Sequence, residues 1–218
     1  FVLSLFEQLD KKGVSAKEKS IIDRCTAAVY EDYQSGGNVP TLCRLREKML
    51  EQPEREAKDL ALALELFTSG SLDAFAHESN VDVNNRMIVY DIMDLGKQLK
   101  TMGLLVITDA MLNRVTENWK KGKRTHIFLD EFHVVFENEY SGAFFNSAWR
   151  RFRKRNAFPN AITQNVEYLL DSVLASTMLS NSEYIVMLNQ AASDRQKLAD
   201  LLNISNEQMS YITNADAG

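Results

Sequence analysis

The spacing of apolar residues changes near residue 80. Before that point they recur every three or four positions. Val2, Leu5, Phe6 and Leu9 fall on one helical face, and Gly13 stops the segment. Ser15 followed three residues later by Glu18 is a capping box, in which hydroxyl and carboxylate satisfy each other's orphan backbone amides. Behind it Ile21, Ile22, Cys25 and Val29 make a second stripe, ended by Gly36 and Gly37. Thr41 opens a third helix with Leu42, Leu45 and Met49 inward, and Pro53 begins a fourth through Leu60, Leu64 and Phe67 to Gly70. Residues 1–80 therefore predict an all-helical subdomain.

From residue 81 to 218 short apolar runs alternate with helical patterns. Met87–Tyr90 reads as a buried strand ending at Asp91, and Lys97–Trp119 as a long, largely buried helix. Ile127, Phe128 and Leu129 read as a second buried strand, continuously apolar as a parallel strand covered on both faces would be, a helix follows over about 142–155, and Ala161–Thr163 leads to Gln164. Tyr184–Leu188 reads as a last strand ending at Asn189 and Gln190. Two short helices close the chain, the second opened by Ser205 with Gln208. Alternation of this kind predicts an α/β fold with a parallel sheet and crossover helices.

Composition changes this picture little. The 218 residues are 45% hydrophobic and 25% charged, which places them among globular chains. A net charge of -5 argues against a wholly basic nucleic-acid module but leaves room for a local basic lining. Cys25 and Cys43 sit in helical patterns without CxxC spacing, so small thiols are expected rather than a disulfide or metal site. His77, His126 and His133 belong to no HExxH and are read as packing or surface residues. No apolar run reaches membrane-spanning length, since Asp109 interrupts the longest. Both ends fall inside or beside helical patterns, which suggests a piece of a longer protein.

The chemistry concentrates where parallel strands end, since open α/β sheets place ligands at their carboxyl ends. Asp130 and Glu131 follow one strand, Gln164 another, and Asn189 with Gln190 the third. One carboxylate there could hold Mg²⁺, the other could polarise water, and a glutamine amide could sense a γ-phosphate. The bland alternative is two solvated acids and a loop amide. The preceding helix carries Arg150, Arg151, Arg153, Lys154 and Arg155, with Arg150, Arg153 and Lys154 opposite Phe145, Ala148 and Phe152. No acid occurs from Ser141 to Arg155, so this face lacks local counter-charges. Lys120, Lys121, Lys123 and Arg124, before the acid-bearing strand, are read as a solvated turn. A GxxxxGK[ST] phosphate loop does not occur in the sequence.

With RTHIFLDEFH, WRRFRKRNAFPNAITQN and SEYIVMLNQ together, the chain resembles the conjugal-transfer ATPases of type IV secretion systems, RecA-like motors of the FtsK and HerA group. The resemblance spans nearly the whole chain. It implies a partial RecA-like P-loop NTPase sheet, with the all-helical part as an insertion. By position, Asp130 would be the Walker B aspartate on the Mg²⁺ side, Glu131 the catalytic glutamate and Gln164 the glutamine of a TQ motif. Arg153 would act in trans on a neighbour's nucleotide, with Arg155 the alternative contact. The resemblance further implies ATP and Mg²⁺, self-assembly as a hexamer, and a cytoplasmic place at the inner face of the membrane beside other secretion components. DNA is a further candidate partner. The departure is the phosphate loop, which the family carries upstream of the helical insertion, so the segment alone is expected to be inactive. Two other classes remain open: a nonenzymatic scaffold or DNA-binding module with a basic docking helix, and a metal-dependent nuclease that would need Asp91 and Asp94.

Overall fold

A computed structural model describes residues 1–9, 13–137, 139–164, 172–188 and 192–213. The chain divides into two compact units, Phe1–Asp109 and Ala110–Gly218, with the division inside one long helix. The first unit is helical: α1 (Val2–Leu9), α2 (Ala16–Gln34), α3 (Leu42–Leu50) and α4 (Arg55–Thr68) precede the start of α5 (Lys97–Lys120). Both arms of the Ser15 capping box form, Ser15 N donating to Glu18 Oε2 at 2.7 Å and Glu18 N to Ser15 Oγ at 3.3 Å. Thr41 caps α3 by one arm alone, its Oγ1 accepting from Arg44 N at 3.3 Å. The stripes predicted for these helices meet in one core, where Ile22, Cys25, Met49 and Leu64 are almost fully buried and Met102 of α5 joins them.

The second unit contains the sheet. Among the described residues it has two parallel strands, β1 (Thr125–Leu129) and β2 (Ala157–Ala161), paired from Thr125↔Ala157 to Leu129↔Ala161. Between them run a 3-10 turn (Phe132–Glu137), α6 (Glu139–Phe152) and a second 3-10 turn (Arg153–Arg155). The helices α7 (Val173–Ser180), α8 (Ala192–Leu202) and α9 (Asn206–Thr213) follow, and Ser205 caps the last through the predicted box with Gln208. One face of the strand pair is buried. Ile127 and Ala157 pack there with Val115, Ala148 and Phe152, the last with no exposed surface.

Four expectations need correction. The strand Thr125–Leu129 is covered on one face and not on both, since Ile127 is buried while Phe128 is 69% exposed. Met87–Tyr90 and Tyr184–Leu188 are not strands: both run as irregular chain, and Met87, Val89, Tyr184 and Val186 are each more than four-fifths exposed. Their apolar composition supplies β-propensity, but a strand exists only when a neighbour completes its ladder. The helix α5 forms over the expected residues yet is mostly half-buried, with Met102, Thr108 and Val115 among its few buried side chains. No helix among the described residues is long and apolar enough to cross a membrane.

Burial raises the Cys25 thiol above its ordinary range, against the opposing pull of the Arg24 guanidinium, whereas Cys43 is half-buried. Thiolate is the reactive form. A thiol-specific alkylator at neutral pH is therefore expected to label Cys43 in the native chain and Cys25 only after unfolding, and equal labelling rates by mass spectrometry would contradict this core. Phe152→Ala is expected to cost about 3–5 kcal/mol. Trp119 and Trp149 both lie in the second unit, so the fall in its urea midpoint can be followed by tryptophan fluorescence.

Candidate active site

At the carboxyl end of β1 the ladder breaks in a specific way. Ile162 N donates to Leu129 O at 2.8 Å, and Ile162 O accepts from Phe132 N at 2.9 Å. In a regular parallel pair one residue bonds to partners two apart, so the three-residue span from Leu129 to Phe132 holds one extra residue. This is a β-bulge. The extra length is taken up at Glu131, whose φ of 47° lies in the left-handed region. That conformation costs a non-glycine residue about 1–2 kcal/mol.

Packing on the far side holds the bulge in place. Phe132 is buried among Phe136, Phe145 and Trp149, with ring centroids 5.2, 6.2 and 5.6 Å away and the first two edge-on. The sequence DEF thus combines two polar residues on a bulge with an aromatic anchor directly after it.

The bulge gathers polar groups from both strands. Gln164 Nε2 donates to Glu131 Oε1 at 2.5 Å, and His133 Nδ1 stands 3.3 Å from Glu131 Oε2 and 3.2 Å from Thr163 Oγ1. Two consecutive residues after β2, Thr163 and Gln164, therefore reach two residues after β1. Asp130 is exposed, and its Oδ1 accepts from Glu131 N at 2.9 Å, a bond that does not engage Oδ2. A Mg²⁺ ion carried by a nucleotide needs one or two protein carboxylates, with waters and phosphates completing six ligands. Asp130 fits that requirement. A dedicated protein cage is a different matter: among the described residues no group of three His, Cys, Asp or Glu could hold a metal.

The other predicted residues fall elsewhere. Arg153 and Arg155 occupy the 3-10 turn before β2, so they stand at the amino end of the strands while Glu131 stands at the carboxyl end. Four strand steps separate the two ends, about 13 Å. Arg153 is exposed, whereas Arg155 is half-buried and its Nη1 donates to Thr116 Oγ1 at 2.5 Å. Asn189 and Gln190 lie outside the described residues. Asp91 and Asp94 belong to the first unit, where Asp91 Oδ1 accepts from Met93 N. Sequence reasoning missed His133 as a neighbour of Glu131. The available signal was its place two residues beyond the acid, on the turn that Phe132 anchors.

A polar cleft of about 460 Å³ opens in the first unit beside Asp32, Gly36, Arg44 and Lys48. Its charges are internally paired, Lys48 Nζ with Asp32 Oδ2 at 2.8 Å and Arg44 Nη1 with Glu47 Oε2 at 2.8 Å, and it carries no chemistry of its own.

The sequence matches the family described as the TraG P-loop domain over residues 16–217. Comparison with curated proteins gave no significant match. Among solved structures the chain is similar to VirB4 of Thermoanaerobacter pseudethanolicus, with a TM-score of 0.68 and 21% sequence identity. That match takes in 96% of this chain and 62% of the VirB4 chain, and at this identity it establishes a shared fold.

The left-handed backbone at Glu131 has a direct consequence for stability. Glu131→Gly should be at least as stable as the parent chain, since glycine meets no steric cost there. Glu131→Val should lose roughly 1–2 kcal/mol or more, because a β-branched side chain tolerates the conformation worst. Urea denaturation of both variants, followed by tryptophan fluorescence, checks the order, and equal midpoints would exclude a strained bulge.

Proposed function

Because the chain belongs to the TraG P-loop domain family, we propose that it forms part of an ATP-hydrolysing motor serving conjugative DNA transfer or type IV secretion. The observation that carries this reading is the bulged carboxylate: Glu131 held at a strand end, in a strained backbone, with a glutamine amide on one oxygen. Strain of this kind persists where the surroundings over-determine it, and it clusters at reactive sites. The fold shared with VirB4 adds independent support.

In this reading Glu131 is the general base that takes a proton from the attacking water. Its carboxylate has about four acceptor directions, so the bonds from Gln164 and near His133 leave lone pairs for water. Gln164 acts as the sensor. Its amide bonds Glu131 in this state and can turn to a γ-phosphate oxygen when nucleotide arrives, which frees and re-aims the base. Asp130 takes the Mg²⁺ side through its second oxygen, and bound Mg²⁺ would neutralise charge on the phosphates.

The remaining parts of a hydrolytic site come from outside these residues. Backbone amides and the lysine of a phosphate loop would be supplied by another segment of the parent protein. An arginine would come from a neighbouring subunit, Arg153 being the better candidate because Arg155 is engaged with Thr116. About 13 Å along the strands is too far for either to serve the carboxylates of its own chain, which supports assembly as a ring, a hexamer in our reading. Such a ring would work in the cytoplasm against the inner face of the membrane, beside other components of the secretion machine, with DNA as a further partner. The isolated 218-residue chain should then hydrolyse ATP negligibly.

The test uses the full-length parent. Glu131→Gln is expected to keep nucleotide affinity within about twofold and to lower kcat by at least 10²-fold, as for a group acting only in the transition state. Near-normal turnover by that variant in a coupled phosphate-release assay would reject the assignment.

A further inference from the structure

His133 meets the carboxylate of Glu131 but has no part in the chemistry assigned to Glu131 and Gln164. It lies on the 3-10 turn Phe132–Glu137, which opens with Val134 N donating to Glu131 O at 2.9 Å. Such a turn repeats every three residues, so Phe132 and Val135 share one side. Both are buried. That anchored side fixes the rotation of the turn and brings the half-buried His133, a third of a turn on, back to Glu131.

The ring's Nδ1 stands 3.3 Å from Glu131 Oε2 and 3.2 Å from Thr163 Oγ1. An ionised carboxylate only accepts hydrogen bonds. An unprotonated Nδ1 would set its lone pair against that of Oε2, so the carboxylate assigns a proton to Nδ1, shared with the threonine oxygen. Thr163 directly precedes Gln164, whose Nε2 donates to Glu131 Oε1. A closed loop results. Both oxygens of Glu131 are tied to the end of β2, one directly through Gln164 and the other through the imidazole. An aromatic ring that served only to fill space would need no nitrogen at this point.

We propose that His133 is a positioning residue that holds Oε2 of Glu131, so that Oε1 alone becomes the base when Gln164 leaves it. This rests on the reading of Glu131 as the general base. The terminal torsion of a glutamate is broad and roughly two-fold. A carboxylate released by Gln164 without a second tether would rotate, exchange its oxygens and lose its aim at water. The bond from His133 has a charged acceptor, which makes it one of the stronger kind, and it persists while Gln164 turns to the phosphate. Its own proton stays on Nδ1 throughout, and the proton taken from water ends on Oε1. Thr163 backs the ring from the β2 side, with a β-branched side chain that has few rotamers. The contribution is one of orientation, which a small misplacement of the reacting oxygen would forfeit.

Two substitutions separate a tether from a packing role. His133→Phe keeps the bulk of the ring and removes the donor, whereas His133→Asn loses the ring and keeps a donor, Nδ2, near the place of Nδ1. In the full-length parent, His133→Phe is expected to lower kcat about 10- to 100-fold with the KM for ATP changed less than about twofold, and His133→Asn to come within about fivefold of the parent. Added to Glu131→Gln, His133→Phe should cost nothing more, because the two residues act as a unit. A readout free of turnover is nitrogen NMR of the unaltered 218-residue chain with labelled histidine, in which the neutral His133 ring should carry its proton on Nδ1. Circular dichroism controls for folding, and the NMR result stands even where a variant misfolds. Normal kcat in His133→Phe, equal loss in both single variants, a further loss in the double variant, or a neutral ring protonated on Nε2 would each overturn the proposal. The base assignment fails separately. It falls if Glu131→Gln turns over normally, whereas the tether alone falls if Glu131→Gln is inactive and His133→Phe is not.

Discussion

Two backbone hydrogen bonds from one residue determine the site. Ile162 bonds to Leu129 on one side of the bulge and to Phe132 on the other, and everything between is forced out of the ladder. Without the second bond the strand would continue in register, and Glu131 would alternate onto a sheet face as any strand residue does. With it, the carboxylate sits at the strand end within reach of Gln164. The cost of the left-handed backbone, about 1–2 kcal/mol, is offset by burying Phe132, whose side chain is 2% exposed, since full burial of a phenylalanine contributes about 1.5–3 kcal/mol. The aromatic residue after the acids is therefore part of the site, although it does no chemistry.

The same argument explains which parts of the protein were legible in the sequence. Helices were read well because their determinants are local. The Ser15 and Ser205 capping boxes, the Thr41 cap and the apolar stripes all act within four residues, and each appears in the structure. Strands depend on partners distant in sequence. Thr125–Leu129 finds Ala157–Ala161 and becomes a strand, whereas Met87–Tyr90 and Tyr184–Leu188, of similar composition, do not. Residue patterns specify which face a strand would bury, not whether a neighbour exists.

The candidate site was legible as an inventory and not as a geometry. Asp130, Glu131 and Gln164 were identifiable from their places after apolar runs, and the direct contact between Glu131 and Gln164 follows from parallel pairing. The bulge was not foreseeable, since it depends on where a ladder 30 residues away happens to register. His133 was passed over for the same reason: its relation to Glu131 and Thr163 exists only once the chain turns at the bulge. The helix α5 shows the opposite failure, where an apolar circumference suggested deep burial that the described residues supply only at a few positions.

The pairing that builds the carboxylate end also builds the cationic end, and this polarity is a property of parallel sheets. An antiparallel hairpin would put the start of one strand beside the end of the other and so mix arginines with acids. Parallel strands joined by a crossover helix collect all the strand starts at one edge and all the ends at the other. Here that sorting separates Asp130 and Glu131 from the Lys120–Arg124 and Arg150–Arg155 blocks by about 13 Å. The distance exceeds the Debye length of about 8 Å at physiological salt, so the exposed charges at one end scarcely perturb those at the other. A chain with a net charge of -5 thus presents a strongly positive surface, because topology sorts its charges where composition alone would average them.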